Sequence, residues 1–232
     1  MFRDIKVIKS LKRRKTIVLQ ITAAAKVIVR APRWTSDRTI QTFVDKKQVW
    51  IEKKRAEIQR ANRKQTKRKF IDGEGFLYLG RNYKLYLINK SSSHFLKRTP
   101  FYFKNAFYLH EDKKDQAKEF FINWYKKQAQ KYIRKRVDKY SQENNFVFNK
   151  VKISWAKKRW GSCTPKNNLN FNWRLIMAPV EVVDYIVVHE LVHLKYHHHA
   201  PKFWRHVKVI MPDYKKREKW LKTNYQQLSF LL

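Results

Sequence analysis

Two histidines four residues apart inside an apolar run constrain this chain more than any other feature. His189-Glu190-Leu191-Val192-His193 sits within the stretch Val180 to Leu194, with three more histidines close behind it. On an α-helix, residues four apart lie about 40° apart around the axis and about 6 Å apart along it, so both imidazoles can address one ion. Glu190 is turned away from that pair by one residue, within reach of a water on the metal without being a ligand. Pro179 suits a helix start, Glu181 and Asp184 favour the N-terminal half, and Val182, Val183, Ile186, Val187, Leu191 and Leu194 supply apolar contacts. Such a helix is buried, and polar side chains in it are costly without partners. A Zn2+ site with hydrolytic chemistry follows as the expectation.

A catalytic zinc usually takes three protein ligands and a water. His197 continues the stripe 189, 193, 197, but eight residues of helix separate its Cα from that of His189 by roughly 12 Å. Ala200-Pro201 argues that the helix stops first, because proline disfavours helical geometry in the residue before it. A chain leaving the helix around Tyr196 to His198 swings His199 back over the metal, making His199 the expected third ligand. His197 and His198 are then solvated turn residues or neighbours of the ligands. No glycine is present to ease the turn.

Several motifs carry a family resemblance. Arg159-Trp160-Gly161-Ser162-Cys163, Asn170 to Ile176, Ala178-Pro179, Asp184 to Leu194, His199 to Trp204 and Met211-Pro212-Asp213-Tyr214 together resemble the YgjP-like metallopeptidases, a family similar to the SprT-like and WLM peptidases. The match is dense over 146–225 and looser through Arg13 to Thr16, Val29 to Pro32, Trp50-Ile51 and Tyr78 to Tyr83. The resemblance implies a zinc site made by His189, His193 and His199, with Glu190 as general base. His198 stands where the family often has asparagine, and Ala200 where it often has serine; neither change removes a ligand, although His198 offers a competing one. A sheet edge often holds the substrate of such peptidases as an added strand, and Asn168–Trp173 is the expected edge.

Lys+Arg number 54 against 18 Asp+Glu, a formal charge of +36. A field of that sign attracts polyanions, so non-specific nucleic acid is an expected partner beside a protein or peptide substrate. The basic residues run along the whole chain, notably at Lys12–Lys15, Lys64–Lys69, Lys126–Arg136 and Lys215–Lys219, and no base-reading module is visible. No apolar stretch approaches the about 18 residues of a membrane span. Met-Phe-Arg-Asp-Ile-Lys lacks a signal-peptide core, and Cys163 is alone. These features fit a reducing cytoplasm.

An apolar content of 43%, with 15% aromatic residues, is enough for a sizeable core. Short strands are predicted over 5–8, 16–21 and 26–30, the last two alternating apolar with polar residues and joined around Ala23–Ala25. A helix capped by Ser36 then runs past Ile58 with a charged extension to Lys69. More strands are expected at 76–79, 82–88, 101–103 and 107–109, with a loop at Ser91–Ser93. A long helix over 115–143 carries an aromatic stripe that reads as core. Strand segments at 147–155 and 168–176 precede the zinc helix, and helices over 201–210 and 213–227 follow it. The fold class is α+β: a strand-rich N-terminal lobe with one helix over 1–112, and a zincin-like metallopeptidase lobe over 113–232.

In the expected reaction Glu190 takes a proton from the metal's water and returns it to the leaving amine. Tyr196, His198, His206 and Tyr214 are candidates for stabilising the oxyanion. Trp160-Gly161-Ser162-Cys163 reads as a structural turn supporting the zinc helix, with Cys163 as a minor candidate for an extra ligand. A second class of function is a basic nucleic-acid-associated binding protein whose zinc site is structural or non-catalytic. Glu190 discriminates the two, since a purely structural site has no use for a carboxylate there.

Overall fold

The computed structural model describes residues 5–22, 24–64, 68–89, 99–156, 159–225 and 227–229. The loop expected at Ser91–Ser93, residue 23 of the first turn and part of the basic run 64–69 lie outside them. The class is α+β, with small mixed sheets and helices interleaved along the chain. Contacts divide the chain between Thr66 and Lys67 into two compact units.

In the first unit, strands β1 (Ile5–Ser10), β2 (Val18–Ile21) and β3 (Val27–Pro32) form a sheet in the order β1-β3-β2, with β1 parallel and β2 antiparallel to β3. Val27, Val29 and Ala31 alternate onto one face of the central strand and are buried with Ile40, Val44 and Ile51. The single helix expected after Ser36 is two, α1 (Asp37–Asp45) and α2 (Gln48–Lys64). Ser36 caps α1 by accepting from the Thr39 amide at 3.1 Å. A tightened contact from the Lys47 amide to the Val44 carbonyl ends that helix, and the Ile51 amide reaching Lys47 starts the next.

The second unit begins with a four-stranded sheet. Its strands are β4 (Gly75–Tyr78), β5 (Arg81–Ile88), β6 (Phe101–Phe103) and β7 (Phe107–His110), in the order β4-β5-β7-β6. Phe76, Leu85, Phe101, Phe107 and Leu109 face helix α3 (Ala117–Glu143), which buries Ala117, Phe121, Tyr125, Ala129, Ile133 and Val137. Phe121 stacks on Phe76 at 4.1 Å, and the Tyr125 hydroxyl donates to the Leu77 carbonyl at 2.6 Å. These contacts explain why the division falls at 66/67, whereas the sequence reading set it at 112/113. The aromatic faces of these strands complete themselves against the α3 stripe, a pairing that local periodicity does not encode.

The rest of the unit positions the histidines. Strands β8 (Lys150–Ser154), β9 (Gly161–Cys163) and β10 (Asn168–Asn172) form a sheet in the order β8-β10-β9. Helix α4 (Val180–Val192) follows a 3-10 turn over Trp173–Met177, and α5 (Pro201–Ile210) and α6 (Tyr214–Asn224) close the unit. The tip of the β4–β5 hairpin pins the start of α4. Leu79 and Gly80 both have positive φ, and their amides donate to the carbonyls of Ile176 and Met177 at 2.8 and 3.2 Å. A Cβ at Gly80 would meet the Pro179 Cα at 2.8 Å, so only glycine allows this approach.

Asp184, on the N-terminal half of α4, is buried and ties that helix to α3. The Arg136 Nε and Nη2 donate to its two carboxylate oxygens at 2.5 and 2.6 Å, and the Tyr140 hydroxyl adds a bond at 3.2 Å. Removing one partner of a buried pair strands the other, so Asp184→Ala should cost about 3 kcal/mol, the low end of the usual range because Arg136 keeps some solvent. Urea unfolding checks this, and replacing both partners by Leu and Met should recover most of the loss.

Candidate functional site

Helix α4 delivers His189 and Glu190 from its last turn and His193 from its C-cap. The backbone then winds more tightly: the amides of Leu194 and Lys195 donate three residues back, to Leu191 and Val192. The chain is extended at Ala200 (φ −69°, ψ 167°) before Pro201 opens α5. The reversal that lacks a glycine is made with no positive-φ residue between Leu194 and Pro201. Proline's steric demand on Ala200 ends the turn, and it brings His199 back over α4.

Three imidazoles converge. The His199 Nε2 lies 3.0 Å from His189 Nε2 and 3.1 Å from His193 Nε2. His193 Nδ1 lies 3.0 Å from the Tyr196 carbonyl, an acceptor that requires the N–H on Nδ1 and leaves a bare lone pair on Nε2. Burial, reinforced by His193 and His199, drives His189 down to about 3, so it is neutral across the physiological range. His193 is also lowered, by burial first, with the Tyr196 carbonyl opposing. Three imidazole nitrogens aimed at one point cannot all satisfy one another, because a proton on one bridges only one neighbour. A cation satisfies all three. Tetrahedral zinc with bonds of about 2.0–2.1 Å sets its nitrogens roughly 3.3 Å apart, a few tenths from the spacing here. Among the described residues, His189, His193 and His199 form the group able to hold a metal ion. His197, His198 and Cys163 fall outside it.

An aromatic wall backs the cluster. Phe203 is fully buried, with its ring centroid 5.0, 4.6 and 4.8 Å from those of His189, His193 and His199. Trp204 stacks on His199 at 5.5 Å and on Tyr214 at 5.5 Å. The sequence reading gave these two residues no role; their i+4 and i+5 spacing from His199 in the first turn of α5 was the available signal.

Glu190 is buried at 4% exposure beside the cluster. Burial pushes its carboxyl up to about 8, with Arg159 pulling the other way. Its Oε2 has no hydrogen-bond partner, while Oε1 abuts Gly161. A Cβ at Gly161 would lie 2.6 Å from Glu190 Cγ and 2.7 Å from Cδ, an overlap with the carboxyl group itself. Gly161→Ala should therefore keep its metal and lose about 10²-fold in kcat through displacement of Glu190. Metal analysis beside peptide hydrolysis checks this.

Gly161–Cys163, expected within a turn over Trp160–Cys163, is the edge strand β9. Asn168–Asn172, expected at the edge, is the central strand β10, with parallel β8 on one side and antiparallel β9 on the other. Strand order follows from long-range pairing, which nearness in sequence to the zinc helix does not reveal. Trp160 and Thr164 bond to Asn172 and Asn168 across the ladder, at 2.8 and 2.9 Å. The main-chain groups of Gly161 and Cys163 therefore point to the open side.

Tyr214 is buried in the stack behind Trp204, Tyr196 and His206 pack on each other at 5.6 Å, and His198 is exposed in the turn. Burial raises the Cys163 thiol to about 11, with Glu190 adding to the shift, so it is no nucleophile near neutral pH. No described helix is long and apolar enough to cross a membrane.

The chain matches none of the curated proteins at a significant level. Among solved structures it is similar to the crystal structure of the metallopeptidase zymogen of Pyrococcus abyssi abylysin, at 22% identity and a TM-score of 0.38, covering 40% of this chain and 95% of that one. The model of the YgjP-like metallopeptidase domain matches residues 15–224. The chain belongs to the YgjP-like metallopeptidase family.

Proposed function

We propose that this metallopeptidase is zinc-dependent, with His189, His193 and His199 as metal ligands and Glu190 as the general base. The convergence of three imidazole Nε2 atoms beside one buried carboxyl group carries this reading. A zinc ion in that site supplies Lewis acidity, bringing the pKa of water towards about 7 and polarising the scissile carbonyl. Glu190 Oε2, unpartnered and facing no competing cation at contact distance, takes the proton of the attacking water. The same oxygen then returns it to the leaving amine. Gly161 keeps the other oxygen in place by the absence of a side chain.

The open edge of β9 is the substrate's docking line. Main-chain donors and acceptors of Gly161 and Cys163 take an extended peptide as an added strand, which sets its scissile bond beside Glu190. A carboxyl group that abuts the first residue of this strand supports an enzyme over a structural zinc protein. The division of labour expected from sequence, with the chemistry in residues 113–232, stands as part of this proposal.

The charge of +36 supports a second property, non-specific association with nucleic acid. Binding to an unrelated DNA duplex should weaken steeply between 50 and 200 mM salt, by about 10³-fold for roughly six phosphate contacts. Fluorescence anisotropy checks this, and a salt-insensitive affinity would remove the polyanion reading. Casein hydrolysis tests the function itself: it should stop with a chelator, resume with zinc and persist without DNA. Hydrolysis unaffected by chelator would contradict the metal reading.

A further inference from the structure

An imidazole binds a metal well only when its ring is correctly turned, because the lone pair lies in the ring plane and must point at the ion. A hydrogen bond on the second ring nitrogen is the usual orienting device. His193 has one, between its Nδ1 and the Tyr196 carbonyl at 3.0 Å. The Nδ1 of His189 is buried and has no hydrogen-bond partner among the described residues. His199 lies at hydrogen-bond distance from the two other imidazoles alone among the described residues, through its Nε2. Two of the three rings are therefore oriented by other contacts.

Stacked rings supply those contacts. Trp204, in the first turn of α5, lies against His199 with centroids 5.5 Å apart and planes 22° apart. Its indole also stacks on Tyr214, the first residue of α6, at 5.5 Å and 17°. Tyr214 in turn stacks on Tyr185 at 6.4 Å and 21°. His199, Trp204, Tyr214 and Tyr185 thus form a chain of near-parallel rings that ends on α4. There Tyr185 stands one turn before His189 and meets its ring edge-on, at 5.9 Å and 68°. Trp204 itself lies 5.8 Å from the His189 ring. His199 leaves α4 through an exposed turn, and these rings tie it back to the helix that carries His189. Tyr185 and Tyr214 are buried, so close packing holds the far end of the row in place.

We propose that Trp204 is a positioning residue of the metal site. It fixes the ring plane of His199 and, through Tyr214 and Tyr185, keeps that plane in register with His189. This rests on the reading of the three histidines as metal ligands. Such preorganisation raises metal affinity without adding a ligand, because the His199 ring is already ordered before the ion arrives. An indole suits the role. It is broad enough to cover an imidazole and Tyr214 together, and its electron-rich face favours the positive charge an imidazole takes on when it binds a metal.

The test measures zinc affinity by competition with a chelating dye on full-length wild type, Trp204→Leu, Trp204→Phe and His199→Ala, each below its thermal midpoint. Trp204→Leu should bind zinc about 10- to 100-fold more weakly, the range for groups that orient a ligand. Trp204→Phe keeps a ring against His199 and should recover most of that loss. Zinc should also change the indole emission of wild type but not that of Trp204→Phe, a signature that packing elsewhere does not produce. Unchanged affinity in Trp204→Leu overturns the proposal. An equal loss in Trp204→Phe overturns it too, since side-chain volume and not a stacked ring would then set the site. So does a zinc-dependent emission change that survives in Trp204→Phe. Should Trp204→Leu fail to fold, the emission of Trp204→Phe decides alone. Failure of the underlying reading looks different: wild type binds no zinc, or His199→Ala binds it as wild type does.

Discussion

Glu190→Gln should hold its zinc and lose peptide hydrolysis by about 10²- to 10⁴-fold in kcat, the usual contribution of a positioned general base. The substitution keeps the volume and the packing against Gly161, where a Cβ would already touch Cγ and Cδ at 2.6 and 2.7 Å. It removes only the capacity of Oε2 to take a proton. The ligands are untouched, since no Glu190 oxygen belongs to the three-histidine group. Metal analysis and steady-state kinetics on the same preparation check the two halves together. A variant that cleaves at the wild-type rate would show that the proton goes elsewhere, and one that loses zinc would make Glu190 part of the metal site.

The second large effect concerns His199. Its removal leaves two imidazoles on one helix and opens the side of the site that α5 now closes. Changes in groups behind the ligands cost about 10- to 100-fold in metal affinity, so loss of a ligand itself should exceed about 100-fold. His199→Ala should therefore lose both zinc and hydrolysis under dilute metal. His197→Ala and His198→Ala should keep both, since these side chains are exposed in the turn and lie outside the converging group. Competition with a chelating dye measures all three. Unchanged zinc affinity in His199→Ala, with a loss in His198→Ala, would reassign the third ligand.

What was readable in the sequence divides along a physical line. The helix bearing His189 and His193 is set by its own spacing, its apolar faces and Pro179, and the turn to His199 by the Ala200-Pro201 pair; all act within a few residues. The α+β class and the α3 stripe were legible for the same reason, although Ala129 was not picked out of that stripe because a small residue carries a weak signal. Strand order was not legible. Gly161–Cys163 is three residues long, contains a glycine, and is a strand only because Asn168–Asn172 pairs with it. Asn168–Asn172, read as the edge, is the central strand of its sheet, and Gly161–Cys163 is an edge. The division at 66/67 was hidden likewise, since it depends on Phe76, Phe101 and Phe107 meeting Phe121 across many intervening residues.

The central claim is that one metal ion on His189, His193 and His199 makes this chain a peptidase. Titrating metal-stripped wild type with zinc while following peptide hydrolysis tests it most directly. The rate should rise from near zero, in proportion to added zinc, and level off at about one equivalent per chain. A rate that is already full without metal, or tight binding of one equivalent with no hydrolysis at any point, would contradict it.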